Sequence, residues 1–176
     1  GCDVEIVPHT LGQDDAALLN PILRGVDYVV HLAAEKHNQA IARPRDILRA
    51  NVEGTHELLS AAVNAGVRKL IFASSLYAYG RLSGPPMREA ETPQPRTVYG
   101  ISKLAGEQLC AHFAATHGLA YDVLRYFFIY GPRQLAGMGY KSVIIRNCEH
   151  LLRGLPVTIT GDGQQALDYV YIDDAI

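Results

Sequence analysis

The sequence predicts an α/β fold built on a doubly wound parallel sheet. Short apolar runs rich in β-branched residues alternate with longer segments whose apolar residues recur every three or four positions. Strands and helices in this order, joined by right-handed crossovers, form a parallel sheet with helices on its faces. The length of 176 residues and a hydrophobic content of 48% suit one domain with an ordinary core.

The N-terminal elements are predicted to be short. Residues 4–7 (VEIV) predict a strand, and residues 14–23 predict a brief helix. Residues 26–34 (VDYVVHLAA) are almost continuously apolar, which is typical of a parallel strand covered on both faces. We interpret His31 in this strand, and His56 further on, as core or helix-surface histidines rather than metal ligands.

Two long helices and two further strands follow. Gly66 and Gly118, which suit a left-handed helix stop, mark the ends of the helices. The predicted elements are, in order, a helix over residues 45–65, a strand over 69–73, a helix over 99–117 and a strand over 121–126. Proline and glycine predict surface loops over residues 81–96 and 131–140, at the strand ends where open α/β sheets bind their ligands.

Composition and charge disfavour several classes of function. The net charge is −2 and the basic residues are scattered, so no nucleic-acid partner is expected. No apolar run approaches the ~20 residues that cross a bilayer, and the N-terminus has no signal-peptide pattern, so we expect a cytoplasmic location and no membrane partner. The three cysteines, Cys2, Cys110 and Cys148, lie far apart and predict no disulfide framework, and the seven histidines lack metal-ligand spacing.

Ser75, Tyr99 and Lys103 form the constellation that predicts chemistry. Ser75 follows a predicted strand, and Tyr99 and Lys103 lie one turn apart on the same face of the next helix. A nearby ammonium lowers the pKa of a phenol, which is otherwise a poor base at neutral pH. Such a set can remove a hydroxyl proton while hydride leaves the same carbon for a nicotinamide. The YxxxK spacing alone is a weak signal, because lysines and packed tyrosines are common in helices.

The surrounding sequence resembles the extended short-chain dehydrogenase/reductase family, the group of NAD-dependent sugar epimerases and dehydratases. Six segments carry the resemblance in the family's order, namely GVDYVVHLAA, NVEGTHELLSAA, GVRKLIFASSLYAYG, TVYGISKLAGEQL, VLRYFFIYGPRQ and GDGQQALDYVYIDD. The resemblance implies a Rossmann-type sheet, NAD as cofactor with NADP not excluded, and a catalytic set of Ser75, Tyr99 and Lys103.

The same resemblance implies cofactor contacts at residues near the ends of the predicted strands. These are Leu32, Ala33, Ala34, Lys36, Asn51, Tyr126 and Phe127, in addition to Tyr99 and Lys103. Taken without the resemblance, most of these residues suit core, turn or surface positions equally well.

The glycine-rich turn that holds a pyrophosphate in this family has no counterpart here. No GxGxxG motif opens a helix, so we expect a Rossmann-type sheet that is incomplete at the N-terminus. We predict a partial dinucleotide-binding domain over residues 1–135. Residues 136–176 are then the start of a substrate-binding region, with a return strand to the Rossmann sheet.

Several positions depart from the family pattern. Thr10 stands where the family has an Asp that reads adenine, Phe128 replaces an Asn near the substrate phosphate, and Leu167 replaces an Arg on the diphosphate. Leu76 and Tyr77 replace the acidic pair of the sugar 4,6-dehydratases, which disfavours dehydration. The function that fits best is an NAD(P)-dependent epimerase acting on a nucleotide-sugar through a keto intermediate. Alternatives are an NAD(P)H-dependent reductase of a small carbonyl substrate, or a non-catalytic Rossmann-like binding module.

The resemblance also implies a homodimer formed by two long helices, residues 45–65 and 98–117. These helices carry more apolar surface than one sheet face needs, at Leu58, Ala62, Leu104 and Leu109.

Overall fold

Three parallel strands form the main sheet, in the spatial order β1-β2-β3. The structure, a computed structural model, describes residues 4–81, 84, 86–134 and 142–176, apart from the side chains of residues 38–40. The strands are β1 (Tyr28–His31), β2 (Lys69–Ser75) and β3 (Ala120–Tyr126). Because all three run in the same direction, their carboxyl ends meet at one edge of the sheet, where Ser75 lies beside Tyr126.

Seven α-helices are described, in addition to two 3-10 turns and one π-helical turn. They are α1 (Leu19–Leu23), α2 (His37–Ala42), α3 (Pro44–Leu48), α4 (Gly54–Ala65), α5 (Val98–His117), α6 (Val143–Leu152) and α7 (Ile172–Ala175). Gly66 and Gly118 end α4 and α5 in the left-handed conformation, as the sequence predicts. Cys2 and parts of both predicted loops, at residues 82, 83, 85 and 135–140, lie outside the described residues.

One face of the sheet carries the core. Helices α1, α4 and α5 pack on this face around Leu59, Leu70 and Phe72, which are almost fully buried. On the opposite face, Tyr28 and Val30 remain 57% and 56% exposed. The Rossmann-type parallel α/β class is confirmed, but the prediction that residues 26–34 are covered on both faces is wrong for the described chain.

The predicted strand at residues 4–7 does not form. Val4 and Ile6 are 81% and 86% exposed, and no described strand pairs with this segment. A strand is stabilised by its ladder and its cross-strand contacts, so an apolar pattern without a neighbouring strand leaves an extended segment.

The predicted helix over residues 45–65 is interrupted. Pro44 starts α3 at a position that needs no backbone donor, and a π-helical turn, Arg49–Glu53, separates α3 from α4. The Thr55 hydroxyl donates to the carbonyl of Asn51 at 2.7 Å, which satisfies a backbone acceptor in the widened turn. The short helix α2 was not predicted.

A second, two-stranded parallel sheet follows the first. β4 (Phe128–Tyr130) begins two residues after β3 ends, and it pairs with β5 (Tyr169–Tyr171). β5 lies in the region of the predicted return strand, but it pairs with β4 rather than with one of the strands β1–β3. The division into domains near residue 135 stays a prediction.

Among the described residues, no helix combines the length and apolar character that crossing a membrane requires. The described part of the chain also holds no cluster of three or more His, Cys, Asp or Glu side chains arranged to bind a metal ion.

Candidate active site

A cavity of about 450 Å³ lies at the carboxyl edge of the main sheet. Parallel α/β sheets bind ligands at this edge because the loops that leave the strands diverge there. The lining residues follow β1, end β2 and β3, or begin α2, α5 and β4. They include Leu32, Ala34, Lys36, His37, Ser75, Tyr77, Tyr99, Lys103, Tyr126, Phe127 and Phe128.

Ser75 is oriented by the turn that follows it. It is the last residue of β2 and caps a short 3-10 helix, Leu76–Ala78, where its Oγ accepts a hydrogen bond from the Tyr77 amide at 3.4 Å. Since that bond uses a lone pair of the hydroxyl, the Ser75 proton remains available to the Tyr99 phenol, whose pKa Ser75 lowers.

Tyr99 and Lys103 lie one turn apart at the start of α5. The Thr97 hydroxyl caps this helix by accepting from the Gly100 amide at 3.0 Å. Lys103 is buried, its Nζ donates to the Ala73 carbonyl at 2.9 Å, and it lies 5.8 Å from the centre of the Tyr99 ring. The structure thus brings the three predicted catalytic residues to one wall of the cavity.

The electrostatics of this wall differ from the sequence-based expectation. Burial lowers the pKa of the Lys103 ammonium to about 8. Burial also raises the pKa of the Tyr99 phenol, the hydrogen bond from Ser75 opposes that rise, and Tyr77 adds to it. The expected lowering of the Tyr99 pKa is therefore not found in the chain itself, because loss of hydration outweighs the stabilisation of the phenolate.

The residues expected to contact a cofactor are placed unequally. Leu32, Ala34 and Lys36 line the cavity, and so do Tyr126 and Phe127. Ala33 and Asn51 do not line it. Ala33 is exposed at the loop after β1, where alternate residues of an extended segment point in opposite directions.

Asn51 instead holds the backbone of the loop that follows β1. Its Oδ1 accepts from the Glu35 amide at 2.8 Å, and its Nδ2 donates to the Glu35 carbonyl and to the Ser102 hydroxyl. Ser102 in turn donates to the Tyr99 carbonyl at 2.8 Å. The π-helical turn therefore links the cavity loop to the helix that carries Tyr99 and Lys103.

Two aromatic residues of the site were not assigned a role from the sequence. His37 stacks on Tyr77 with ring centres 4.5 Å apart, and Tyr77 meets Tyr99 edge to face at 5.6 Å. His37 belongs to α2, whose short pattern gave no helical signal. Tyr77 was identified only as a departure from the acidic residues of the dehydratases.

His31 is a buried core histidine, as expected. It donates from Nε2 to Thr55 Oγ1 at 2.9 Å, because the Thr55 proton already serves the Asn51 carbonyl. Burial, and secondarily the Lys103 charge, lowers the pKa of His31 to about 4. It is therefore neutral at physiological pH.

The chain was compared with known proteins. The model of the NAD dependent epimerase/dehydratase family matches residues 5–176. The uncharacterised UDP-glucose epimerase YtcB of Bacillus subtilis strain 168 is 33% identical over 166 residues, which cover 90% of this chain and 49% of the relative.

Two solved structures combine the same fold with a similar sequence. UDP-N-acetylglucosamine 4-epimerase from Methanobrevibacter ruminantium M1, in complex with UDP-N-acetylmuramic acid, gives a TM-score of 0.86 at 34% identity, covering 94% of this chain and 53% of that chain. UDP-glucuronic acid 4-epimerase from Bacillus cereus, in complex with UDP-glucuronic acid and NAD, gives 0.79 at 34% identity, covering 93% and 52%.

The chain spans about half the length of the curated relatives it matches. Within that span, the match to the family model runs almost from end to end, and the structural similarity covers 94% of this chain. The chain therefore belongs to the NAD dependent epimerase/dehydratase family.

Proposed function

We propose that the protein containing this chain is an NAD(P)-dependent epimerase of nucleotide-sugars, and that Ser75, Tyr99 and Lys103 are its catalytic residues. The observation that carries the proposal is the convergence of these three side chains on one cavity, where Ser75 acts to lower the pKa of the Tyr99 phenol. The relatives that match along the chain include epimerases named for UDP-sugars, which supports the same substrate class.

The cavity has features that fit a nicotinamide cofactor. Its far wall is formed by Tyr126 and Phe127, which offer flat apolar surface, and Lys103 contributes an ammonium that can bind ribose hydroxyls. Leu32, Ala34 and Lys36 would border the same molecule on the β1 side. When bound, NAD supplies the acceptor and the donor of hydride.

The residues of the chain handle the proton that accompanies hydride transfer. The Tyr99 oxygen is the acceptor of the substrate hydroxyl proton, and Ser75 orients that hydroxyl while it stabilises charge on the phenol. Lys103 places a positive charge 5.8 Å from the centre of the Tyr99 ring, where it would act in favour of the phenolate. Return of the same proton to the oxygen, together with return of the hydride to the opposite face of the rotated keto intermediate, would complete an epimerisation.

A second candidate is a reductase of a small carbonyl substrate. Phe127, Phe128 and Ile129 contribute apolar lining to the cavity. Phe128 lies where the family resemblance implies an amide near the substrate phosphate, and an aromatic ring cannot replace that hydrogen-bond donor. This wall favours a substrate with an apolar face beside the reacting carbon.

The test is the substitution Tyr99→Phe in the full-length protein. With UDP-glucose and UDP-glucuronic acid as probes, we expect kcat to fall by at least ~100-fold while NAD binding changes little, since removing a general base costs on that order. Tyr28→Phe, which lies on the exposed face of the sheet, is the matched control. Turnover retained by Tyr99→Phe would disprove the catalytic assignment, whereas oxidation of NADPH by small ketones alone would favour the reductase.

We also propose a homodimer through the long helices. Leu58 and Ala62, which were expected to contribute apolar surface, are buried in the chain's own core. Leu104 and Leu109 are half-buried, and Ile101 on the same helix is 49% exposed, so α5 supplies most of the apolar surface available to a partner. Light scattering of the full-length protein tests this, and a monomer at tens of micromolar would contradict it.

A further inference from the structure

A partly buried ion pair joins α5 to β3 close to the cavity. The Glu107 carboxylate accepts two parallel hydrogen bonds from Arg125, at 2.9 Å from Nε and 2.7 Å from Nη2. The Ser74 hydroxyl donates to the same carboxylate. The side chains of Glu107 and Arg125 are only 11% and 15% exposed, and the guanidinium packs over the Tyr79 ring at 4.5 Å.

Ser74, Arg125 and Glu107 all lie close to the catalytic residues, and Ser74 itself lines the cavity. Ser74 precedes Ser75 on β2, and Arg125 precedes Tyr126 on β3. Ser74 and Arg125 are also direct neighbours in the β2–β3 ladder. The third residue, Glu107, lies one turn after Lys103 on α5, the helix that begins with Tyr99.

We propose that Glu107 is a positioning residue for the catalytic site, which fixes the Ser75 hydroxyl against the Tyr99 phenol by fastening the carboxyl end of β2 to α5. Ser75 and Tyr99 belong to different elements, so their contact depends on how the end of β2 lies against the helix. Glu107 belongs to the same rigid helix as Tyr99, and it binds the residue immediately before Ser75. The network therefore joins the two elements whose relative position sets the contact between Ser75 and Tyr99.

The geometry of the network suits positioning better than general stabilisation. A bidentate Arg–carboxylate pair fixes both distance and direction, whereas replacing a buried ion pair with apolar groups is often neutral or favourable for stability. The same two strands carry another ion pair, Lys69–Asp122 at 2.6 Å, far from the cavity and 37% and 50% exposed. That pair supplies a control, since it joins β2 to β3 without adjoining a catalytic residue.

The decisive measurement is the pKa of Tyr99, followed by NMR in protein labelled with ¹³C-tyrosine and assigned through the signal lost in Tyr99→Phe. In Glu107→Gln we expect this pKa to rise, because Ser75 no longer stabilises the phenolate. Removing a negative charge near a phenol would by itself lower its pKa, so a rise reports the loosened hydrogen bond and not the lost charge. Asp122→Asn should leave the Tyr99 pKa unchanged.

A double-mutant cycle separates positioning from a purely structural role. In the Ser75→Ala background, Glu107→Gln should produce no further rise in the Tyr99 pKa, because the group it positions is absent. An equal rise in both backgrounds, or no rise in either, would overturn the proposal. If Glu107→Gln does not fold, Ser74→Ala removes only one hydroxyl of the network and is expected to raise the same pKa by a smaller amount. No rise in that variant overturns the proposal as well.

The consequence for turnover rests on the proposed function. In the full-length enzyme, Glu107→Gln should lower kcat roughly 10- to 100-fold with little change in KM for NAD, as expected from a small misplacement of a catalytic group. The two proposals fail differently. If the Tyr99 pKa responds as described and no nucleotide-sugar is turned over, the positioning role stands and the epimerase assignment falls.

Discussion

At the scale of single residues, the site contains a buried cation, Lys103, whose desolvation lowers the stability of the fold. Lys103 is 4% exposed, and its Nζ has one hydrogen bond to a described acceptor, the Ala73 carbonyl, although an ammonium has three donors. Burial lowers its pKa to about 8, so at neutral pH the folded chain still carries the charge and bears most of the desolvation penalty. Such a residue is expected where function, and not stability, selects the side chain.

Replacing this cation with an apolar side chain should therefore stabilise the protein. In the unfolded chain the lysine titrates at its ordinary pKa of 10.5. Between pH 8 and 10.5 the unfolded state binds more protons than the folded state, so wild-type stability rises with pH by up to about 3 kcal/mol. We expect Lys103→Met to abolish that rise and to unfold at higher urea concentration than wild type at pH 7. Urea titrations at pH 7 and pH 10 measure both, and equal stability of the two proteins at pH 7 would contradict the prediction.

His31 should control stability on the acid side. Its pKa is about 4 in the folded chain and 6.5 in the unfolded chain, so the unfolded state alone binds a proton between these values. The free energy of unfolding should thus fall by about 3 kcal/mol as the pH drops from 6.5 to 4. His31→Gln, which keeps a donor for Thr55, should lose this segment of the pH profile. Parallel profiles for the two proteins would show that another group is responsible.

The sequence predicted some residues of the site and not others, for an identifiable reason. Tyr99 and Lys103 share one helix turn, so their spacing alone places them together, and Ser75 ends a strand that the apolar pattern reveals. His37 reaches Tyr77 only through the folding of α2 against the sheet edge, which leaves no trace in local spacing. The direction in which the Tyr99 pKa shifts was also predicted wrongly, because burial of the phenol depends on tertiary structure and not on local spacing.

At the scale of elements, the close packing of α5 on β2 depends on a glycine. A Cβ at Gly106 would clash with Cζ of Phe72, a fully buried ring. The absence of a side chain at this position lets the helix approach the sheet closely enough for Lys103 to reach the Ala73 carbonyl. Packing of the helix and the geometry of the site are thereby coupled.

Gly106→Ala should destabilise the protein in spite of the better helix propensity of alanine. The propensity gain is about 1 kcal/mol, whereas overpacking a rigid core costs about 1–3 kcal/mol, so we expect a net loss. Chemical denaturation measures the difference, with the exposed substitution Gln108→Ala on the same helix as control. The loss should shrink in a Phe72→Leu background, where the clashing ring is gone. A stabilised Gly106→Ala protein would show that the helix can shift without cost.

Helix and strand periodicity located most elements, and tertiary context decided the exceptions. The segment at residues 4–7 has an apolar pattern, but no strand of the described residues lies beside it, so it stays extended. The π-helical turn at Arg49–Glu53 interrupts a continuous helical pattern. Within this turn, Asn51 forms hydrogen bonds with Glu35 in the loop after β1 and with Ser102 on α5. Both partners are distant in sequence, so the local pattern could not predict these hydrogen bonds.

At the scale of the whole molecule, the described residues cover one face of the main sheet and leave the other face largely exposed. Tyr28, Val30, Leu32 and Leu124 form an exposed apolar surface across β1, β3 and the loop after β1. Exposed apolar surface of this kind promotes association. We expect the apparent mass of the 176-residue chain in sedimentation to rise with concentration. Val30→Lys should weaken this dependence. Leu152→Lys, an exposed apolar position on α6, should not. Identical behaviour of the two variants would exclude the sheet face as the cause.

The described cavity suits only one part of a dinucleotide, which limits the affinity that we expect of this chain. The described cavity supplies an apolar wall, a phenol and an ammonium, all suited to the nicotinamide and its ribose. Most affinity for a pyrophosphate comes from backbone amides at a glycine-rich helix N-terminus, and no such motif opens a helix in this sequence. We therefore expect the 176-residue chain to bind NAD and NADP only weakly in calorimetric titration, with Lys103→Met removing what binding remains. Micromolar binding by this chain would show that its cavity, without a glycine-rich turn, supplies most of the affinity.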